Sequence, residues 1–182
     1  MQIRTARPPE IARIGELYEE AIAFQRQGGH PFWGEHYLDV VRSDIAAGNL
    51  HALLVDQQIA GVFSFCAASP LDEDIWRDED PGQARYINRI IVGRQWKGQA
   101  LFATMAAWCA RETARLGLRA LRLDTWADNP ALIGYYTRYG FAYRGERHSS
   151  NDAALPSQYR GLRLAIMEKP IASLRNDMGA AV

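Results

Sequence analysis

Val92 to Phe102 reads VGRQWKGQALF, and its residue types suit the binding of an anion. Gly98 and Ala100 are small enough to let a ligand approach the backbone, and Lys97 adds a positive charge beside them. A helix that begins directly after this stretch has unpaired first amides and partial positive charge from its dipole. These features predict a loop that holds a pyrophosphate, although an ordinary strand-to-helix turn with a glycine explains the stretch equally well.

The neighbouring patterns predict the strand and the helix that such a loop needs. Residues 85–92 form a mainly apolar run that is typical of a strand. Apolar residues recur at helical spacing over 101–116, and Gly117 follows as a C-terminal cap. The common phosphate-loop patterns GxxxxGK[ST] and GxGxxG are absent from the sequence, so the choice between loop and turn depends on the rest of the chain.

A further strand and helix follow the first pair. Residues 118–126 contain alternating leucines, and Asn129 with Pro130 supplies a helix cap and a first helical residue. The other predicted elements are a strand at 2–7, helices at 11–22 and 35–47, a hairpin around 56–58, and strands at 142–147 and 159–168. The order predicts a single α/β domain over residues 1–169, with a loosely held tail at 170–182.

Composition excludes several classes of protein. The 182 residues carry 21 basic and 21 acidic side chains, so a non-specific nucleic-acid binder is not expected. No apolar run approaches the ~20 residues of a membrane span, and the N-terminal residues lack the apolar core of a signal peptide. We therefore expect a cytoplasmic protein without membrane partners. Cys66 and Cys109 lie in apolar runs that predict buried free thiols, and no metal-binding pattern is present.

Two motifs resemble those of the GNAT superfamily of N-acetyltransferases. QWKGQA has the form Q/R-x-x-G-x-G/A, which follows a strand ending in valine in that family. NPALIGYYTRYGF resembles its N-x-x-A-x-x-x-Y-x-K-x-G-F helix, with matches at Asn129, Tyr136, Gly140 and Phe141. Leu132 and Arg138 depart from the pattern but keep its apolar and basic character. One helix and one strand separate the motifs, and the element order over residues 2–168 resembles that of the family.

The resemblance implies a mixed, splayed β-sheet flanked by helices, with acetyl-CoA between the strands at 85–92 and 118–126. It implies that backbone amides hold the pyrophosphate, at Gln95, Trp96, Lys97, Gly98, Gln99 and Ala100. The backbone of Ile90, Ile91 and Val92 would pair with the pantetheine arm, beside Asn129. Tyr136 would lie near the thioester sulfur.

Acyl transfer to an amine requires a proton acceptor for the amine, donors for the oxyanion and a proton for the leaving thiolate. A backbone amide near Val92 suits the second requirement, and the Tyr136 hydroxyl suits the third. Tyr136 is therefore the predicted catalytic residue, with core packing as its alternative role.

The proton acceptor is less defined. Several members of the family have a glutamate on the strand before the loop, whereas residues 85–88 here read RYIN. Asn88 is predicted to orient the amine or a water molecule. Asp124 is a candidate base and substrate contact, with a structural ion pair to Arg122 as the alternative. His148 and a chain of water molecules are further alternatives.

Residues 70–83 are the most acidic segment, with carboxylates at Asp72, Glu73, Asp74, Asp78, Glu79 and Asp80. They form either a surface that attracts a polycationic amine or an ordinary solvated loop. Trp76 in this segment and Trp33 in HPFWG either line the acceptor pocket or anchor their loops.

The sequence therefore predicts an acetyl-CoA-dependent N-acetyltransferase that acts on a small primary amine or amino-acid-like acceptor. Neither cysteine has an activating neighbour, which favours direct transfer in a ternary complex. Two alternatives are a non-catalytic acyl-CoA sensor or scaffold, and an enzyme that binds another phosphate ligand at the helix end. The oligomeric state is open, with a homodimer among the options.

Overall fold

A computed structural model describes residues 1–29 and 37–172 of the chain. Its helices are α1 (Ile11–Gln27), α2 (Tyr37–Ala46), α3 (Pro70–Ile75), α4 (Leu101–Arg115) and α5 (Pro130–Thr137). Its strands are β1 (Gln2–Thr5), β2 (Leu50–Val55), β3 (Gln58–Cys66), β4 (Ala84–Val92), β5 (Ala120–Trp126), β6 (Ala142–His148) and β7 (Arg163–Pro170). The order of the elements agrees with the predicted order except that α3 is an additional helix.

The strands form one mixed sheet in the order β1-β2-β3-β4-β5-β7-β6. Neighbouring strands are antiparallel except for β4 and β5, which are parallel. These two central strands pair only from Ala84↔Ala120 to Tyr86↔Arg122 and then separate. The predicted mixed, splayed sheet is confirmed, and the separation opens a cleft in its middle.

Helices cover both faces of the sheet. Leu121 and Leu123 of β5 belong to the buried cluster that contains Phe102 and Met105 of α4. Tyr86 of β4 belongs to a cluster with Trp76, at the end of α3. Because side chains alternate along a strand, Arg122 and Asp124 lie on the opposite face from the two leucines.

The acidic segment is not simply a loop, as the sequence had suggested, because it contains α3. The Ser69 hydroxyl accepts from the Asp72 amide at 3.3 Å, and the Asp72 carboxylate accepts from the Ser69 amide at 2.9 Å. Pro70 is the first helical residue. This reciprocal capping box starts a helix that the high density of charge had obscured.

The ends of several elements also differ from prediction. The last strand is Arg163–Pro170 rather than 159–168, and the Ile171 amide donates to the Arg119 carbonyl at 2.8 Å. The second helix begins at Tyr37 within the described residues, and its predicted start at 35 lies outside them. Among the described helices, none combines the length and the apolar character that crossing a bilayer requires.

Candidate active site

The cleft between β4 and β5 exposes one edge of β4. Beyond Tyr86, no residue of β4 pairs with β5 in the described part of the chain. Ile91 and Val92 remain paired with β3 on the other side. A strand edge without a partner presents unpaired amides and carbonyls. The predicted contacts Ile90, Ile91 and Val92 lie in this part of β4, where an extended ligand can add as a strand.

The predicted phosphate loop contains a type II turn. Lys97 has φ −56° and ψ 136°, Gly98 has φ +87°, and the Gln99 amide donates to the Trp96 carbonyl at 3.2 Å. This turn requires a positive φ at its third residue, which glycine adopts without strain. A Cβ at Gly98 would meet nothing within 4 Å, so backbone conformation rather than space explains the glycine.

The loop uses some of its amides internally and leaves others unpaired. The Trp96, Lys97 and Gln99 amides donate to carbonyls within the loop at 2.9, 3.1 and 3.2 Å. The Gly98 and Ala100 amides have no hydrogen-bond partner within the described residues. The first two amides of α4, at Leu101 and Phe102, are unpaired by helix geometry, whereas the Ala103 amide donates to the Ala100 carbonyl at 2.9 Å. Unpaired amides beside the Lys97 cation fit the chemistry of a diphosphate group.

Trp96 supports the loop from within. It is half-buried and packs against the cluster that contains Phe102 and Met105, whereas Lys97 and Gln99 are exposed. A Cβ at Gly93 would lie 3.4 Å from the Trp96 ring and 3.0 Å from Leu17. The role of Trp96 is therefore to hold the loop against the body of the protein.

Asn129 and α5 border the other side of the cleft. The Asn129 side-chain oxygen accepts from the Leu132 amide at 3.0 Å, which confirms the predicted cap. The cap occupies the oxygen, so the side-chain NH₂ is the group that Asn129 can offer to a ligand.

Tyr136 is buried, and its ring lies edge-on to Phe102 with a centroid distance of 5.1 Å. Its hydroxyl has no hydrogen-bond partner within the described residues. Burial raises the pKa of Tyr136, and the nearby Asp124 carboxylate raises it further. Its hydroxyl is therefore protonated at neutral pH and can serve as a proton donor.

Asp124 lies on β5 where the strands have separated, and it does not pair with Arg122. Arg122 instead contacts Glu168 at 2.9 Å and Glu79 at 3.4 Å, and its guanidinium lies 4.4 Å from the centre of the Trp76 ring. Burial raises the pKa of Asp124 to about 7, the Asp72 carboxylate raises it further, and Arg89 opposes both effects. Asp124 is thus a carboxylate that can exchange a proton near neutrality.

Asn88 connects the cleft to α3. Its amide nitrogen donates to Asp72 Oδ2 at 3.4 Å. Asp72 is only 1% exposed, and burial raises its pKa. Asp72 is the acidic residue of the 70–83 segment that contacts this site.

The other acidic residues of that segment have different environments. Glu79 and Asp78 contact Arg144 and Arg147 of β6 at 3.4 Å. Asp74 accepts from the Ser150 amide at 2.7 Å. The segment is thus attached to β6 and to the 150 region, rather than being a freely solvated loop.

The structure also describes Trp76 and His148, two further predicted residues. Trp76 is 2% exposed beneath Arg122, a position that suits the anchoring alternative. His148 is exposed on β6, which β7 separates from β5. Trp33 falls outside the described residues.

A largely buried ionic network involves Arg89 of β4, Asp44 of α2 and Ser64 of β3. Arg89 has φ +52° at a shift in the register between β3 and β4, so it occupies a bulge. Its Nη2 contacts Asp44 Oδ2 at 2.7 Å, and its Nε is 3.2 Å from the Ser64 hydroxyl. Ser64 also donates to Asp44.

Sequence reasoning missed Arg89, Asp44, Ser64 and Asp72. The S-x-x-D capping box at Ser69 was a visible signal for α3, but it gave no sign that Asp72 contacts Asn88. The bulge at Arg89 has no signature in RYINRIIV, because it arises from a change of register with β3.

Comparison with known proteins identifies the family. The model of the acetyltransferase (GNAT) family matches residues 15–141, well over half of the chain. YesJ of Bacillus subtilis (strain 168), named an uncharacterized N-acetyltransferase, is 29% identical over 113 residues. That match covers 62% of this chain and 62% of YesJ.

Solved structures share the fold. A GNAT-family acetyltransferase from Listeria monocytogenes 4b F2365 has a TM-score of 0.74 and 22% identity, covering 93% of this chain and 94% of its own. The yncA protein of Salmonella typhimurium, solved with its cofactor acetyl-CoA, has a TM-score of 0.62 and 18% identity, covering 100% of this chain and 97% of its own. Together with the family model, the splayed sheet shows that the chain belongs to the acetyltransferase (GNAT) family.

Proposed function

We propose that this protein transfers an acetyl group from acetyl-CoA to the primary amine of a small molecule or amino-acid-like acceptor. The observation that carries the proposal is the continuity of the cleft. The unpaired edge of β4 is followed, after the turn at 93–97, by the unpaired amides of Gly98, Ala100 and the first two residues of α4. One extended ligand with a diphosphate at one end fits this path.

Different residues of the cleft would bind different parts of acetyl-CoA. Gly98, Ala100 and Lys97 would hold the diphosphate, and the edge at 90–92 would pair with the pantetheine amides. The Asn129 NH₂ would contact the same arm. When bound, acetyl-CoA supplies an acetyl group that is activated as a thioester.

The acceptor nitrogen would bind in the cleft beside Asn88 and Asp124, and the Asp124 carboxylate also acts electrostatically on Tyr136. The carboxylate of Asp124 favours an ammonium group, and Asn88 orients it. Tyr136 would provide the proton that the departing sulfur requires, since burial keeps its hydroxyl protonated.

Direct transfer in a ternary complex agrees with the state of the two cysteines. Both are buried and free, as predicted. Burial raises the pKa of Cys66 to about 12 and raises that of Cys109 as well. Thiols of this kind are poor nucleophiles near neutral pH, which disfavours an acyl-enzyme.

The sensor alternative was based on the absence of a carboxylate at 85–88 of β4. The structure gives the cleft two carboxylates from other elements, Asp72 of α3 and Asp124 of β5. Their presence beside Asn88 favours the enzyme over the sensor.

The test combines ligand stabilisation with turnover. Acetyl-CoA should raise the melting temperature because it binds the folded state, whereas NADH and ATP should not. CoA release should then occur with at least one member of an amine panel. Stabilisation without CoA release from any amine would favour the sensor, and stabilisation by NADH or ATP alone would refute the proposal.

Replacing Tyr136 by phenylalanine should reduce kcat by about 10²-fold or more, because general acid catalysis typically contributes that much. Tyr139→Phe is the matched control, since Tyr139 packs on the same Phe102 ring at 5.0 Å. Equal activity of wild type and Tyr136→Phe would contradict the catalytic role.

A further inference from the structure

Three polar side chains from different elements come together where β4 and β5 separate. Tyr86 and Arg122 form the last paired position of the two strands. Asn88 and Asp124 lie two residues further along and therefore on the same face as that pair. Asp72 of α3 completes the group through its contact with the Asn88 amide nitrogen at 3.4 Å.

Within the described residues, the two carboxylates of this group form no ion pair. Arg122 is engaged by Glu168 and Glu79, and Arg89 is engaged by Asp44. No ion pair to Asp72 or Asp124 is found among residues 1–29 and 37–172. Buried carboxylates without a counter-ion favour a cationic ligand or a bound proton.

The two carboxylates differ in access. Asp72 is 1% exposed, and its Oδ2 accepts from the Ser69 amide, the Ser69 hydroxyl and the Asn88 amide nitrogen. Asp124 is only half-buried and has no side-chain hydrogen-bond partner within the described residues. A substrate can therefore reach Asp124, whereas Asp72 is held behind it.

On the basis of the proposed acetyl transfer, we infer that Asp124 is the catalytic residue that takes a proton from the acceptor's ammonium group, and that Asp72 is a positioning residue that holds Asn88 and adds a second buried carboxylate to the site. In this step one N–H bond of the ammonium breaks and one O–H bond forms at Asp124. The products are a neutral amine and a neutral carboxylic acid. The proton then leaves to solvent through the half-exposed side of Asp124.

The charges around Asp124 agree with this assignment. Burial and the Asp72 carboxylate raise its pKa, and Arg89 of β4 lowers it. Tyr136 of α5 faces it as a neutral phenol. Because Arg89 is already paired with Asp44, it opposes the effect of the Asp72 carboxylate on Asp124 without cancelling it.

Asp72→Asn separates positioning from structure. The asparagine oxygen can still accept from the Ser69 amide and hydroxyl, so α3 keeps its cap. The negative charge is lost, and the apparent pKa of Asp124 should fall by one unit or more. Glu73→Gln is the matched control, because Glu73 is exposed on the same helix.

Two measurements on the full chain test the inference. The first is a ¹³C NMR titration of aspartate carboxyls in the free protein, with Asp124→Asn used for assignment. The second is the pH dependence of kcat/KM for CoA release. We expect Asp124 to titrate near neutrality in the wild-type protein. Asp72→Asn should move this titration, and the acid limb of kcat/KM, to lower pH by at least one unit. Glu73→Gln should move neither. Asp124→Asn should lower kcat at least 100-fold.

The inference is overturned if Asp124 titrates as an ordinary surface aspartate, or if Asp72→Asn leaves its titration in place. The NMR titration tests the role of Asp124 without any turnover. Failure of the proposed function would instead appear as a lack of CoA release from the wild-type protein, which is a separate measurement.

Discussion

Replacing Gly98 tests whether the phosphate loop depends on backbone conformation. Gly98 is the third residue of a type II turn with φ +87°, and an added Cβ would meet nothing within 4 Å. Alanine therefore adds no clash within the protein, but it must adopt a left-handed conformation that costs about 1–2 kcal/mol. If the alanine loop relaxes out of this turn in the free protein and acetyl-CoA binding must restore it, this cost corresponds to a decrease in acetyl-CoA affinity of about 5- to 30-fold.

A series at this position makes the prediction sharper. Asparagine is larger than alanine but tolerates a positive φ, so Gly98→Asn should be milder than Gly98→Ala. Valine is β-branched and should be the most damaging of the three. Isothermal titration with acetyl-CoA measures the affinity, and thermal unfolding of the free protein measures the conformational cost.

Gly117 provides the matched control. It also has a positive φ, +72°, with nothing within 4 Å of an added Cβ, but it follows the far end of α4. Gly117→Ala should lower stability about as much as Gly98→Ala and leave acetyl-CoA affinity unchanged. If Gly98→Asn binds more weakly than Gly98→Ala while the free proteins are equally stable, crowding of the ligand rather than backbone conformation decides, and the reasoning is refuted.

Two further predictions concern stability and pH. Because the folded-state pKa of Asp124 is raised, the folded protein holds an extra proton and stability falls as the pH rises from about 4 to about 7. Asp124→Asn should therefore be more stable than wild type at pH 8, by about 4 kcal/mol of unfolding free energy, because a pKa raised from 3.8 to about 7 corresponds to that amount. The difference should be small near pH 4, and an equal effect at both pH values in thermal unfolding would contradict this. The pH dependence at Glu10 has the opposite sign, because Arg4 and Arg7 lower the pKa of Glu10 to about 2. The stabilisation from Glu10 is therefore present above pH ~4.5 and is lost as the pH falls towards 2. Since Glu10 lies near the surface, Glu10→Gln should cost about 1 kcal/mol at pH 7 in denaturant unfolding and nothing at pH 2.

Much of the fold could be predicted because its signals are local. The predicted cap at Asn129 and the predicted C-terminal glycine of α4, Gly117, depend on residues within one turn. The alternation of leucines in β5 identified the buried face of that strand. Each of these signals is fixed by short-range geometry, which a sequence pattern records directly.

The register between strands and the ionic partners of the buried arginines depend on residues that are distant in the sequence. An ion pair between Arg122 and Asp124 was one of the two predicted alternatives for Asp124, yet the partners of Arg122 come from β7 and from the acidic segment. Arg89 is displaced by a register shift against β3 and thereby reaches Asp44 of α2. Such contacts are decided by how strands and helices stack, and a single sequence does not encode that arrangement in any local pattern.

The acidic segment shows why composition alone misled. All the carboxylates of this segment carry the same charge, but the formation of α3 places them in different environments. Asp72 is the third residue of α3, so its capping role turns its carboxylate back towards Ser69 and places it beside Asn88. Glu79 lies beyond the helix and contacts arginines of β5 and β6 instead. Arginines thereby anchor the segment at its Glu79 end, and Asp72 contributes a buried carboxylate at the other end. This arrangement allows Asp72 to act on Asp124 without being exposed to solvent.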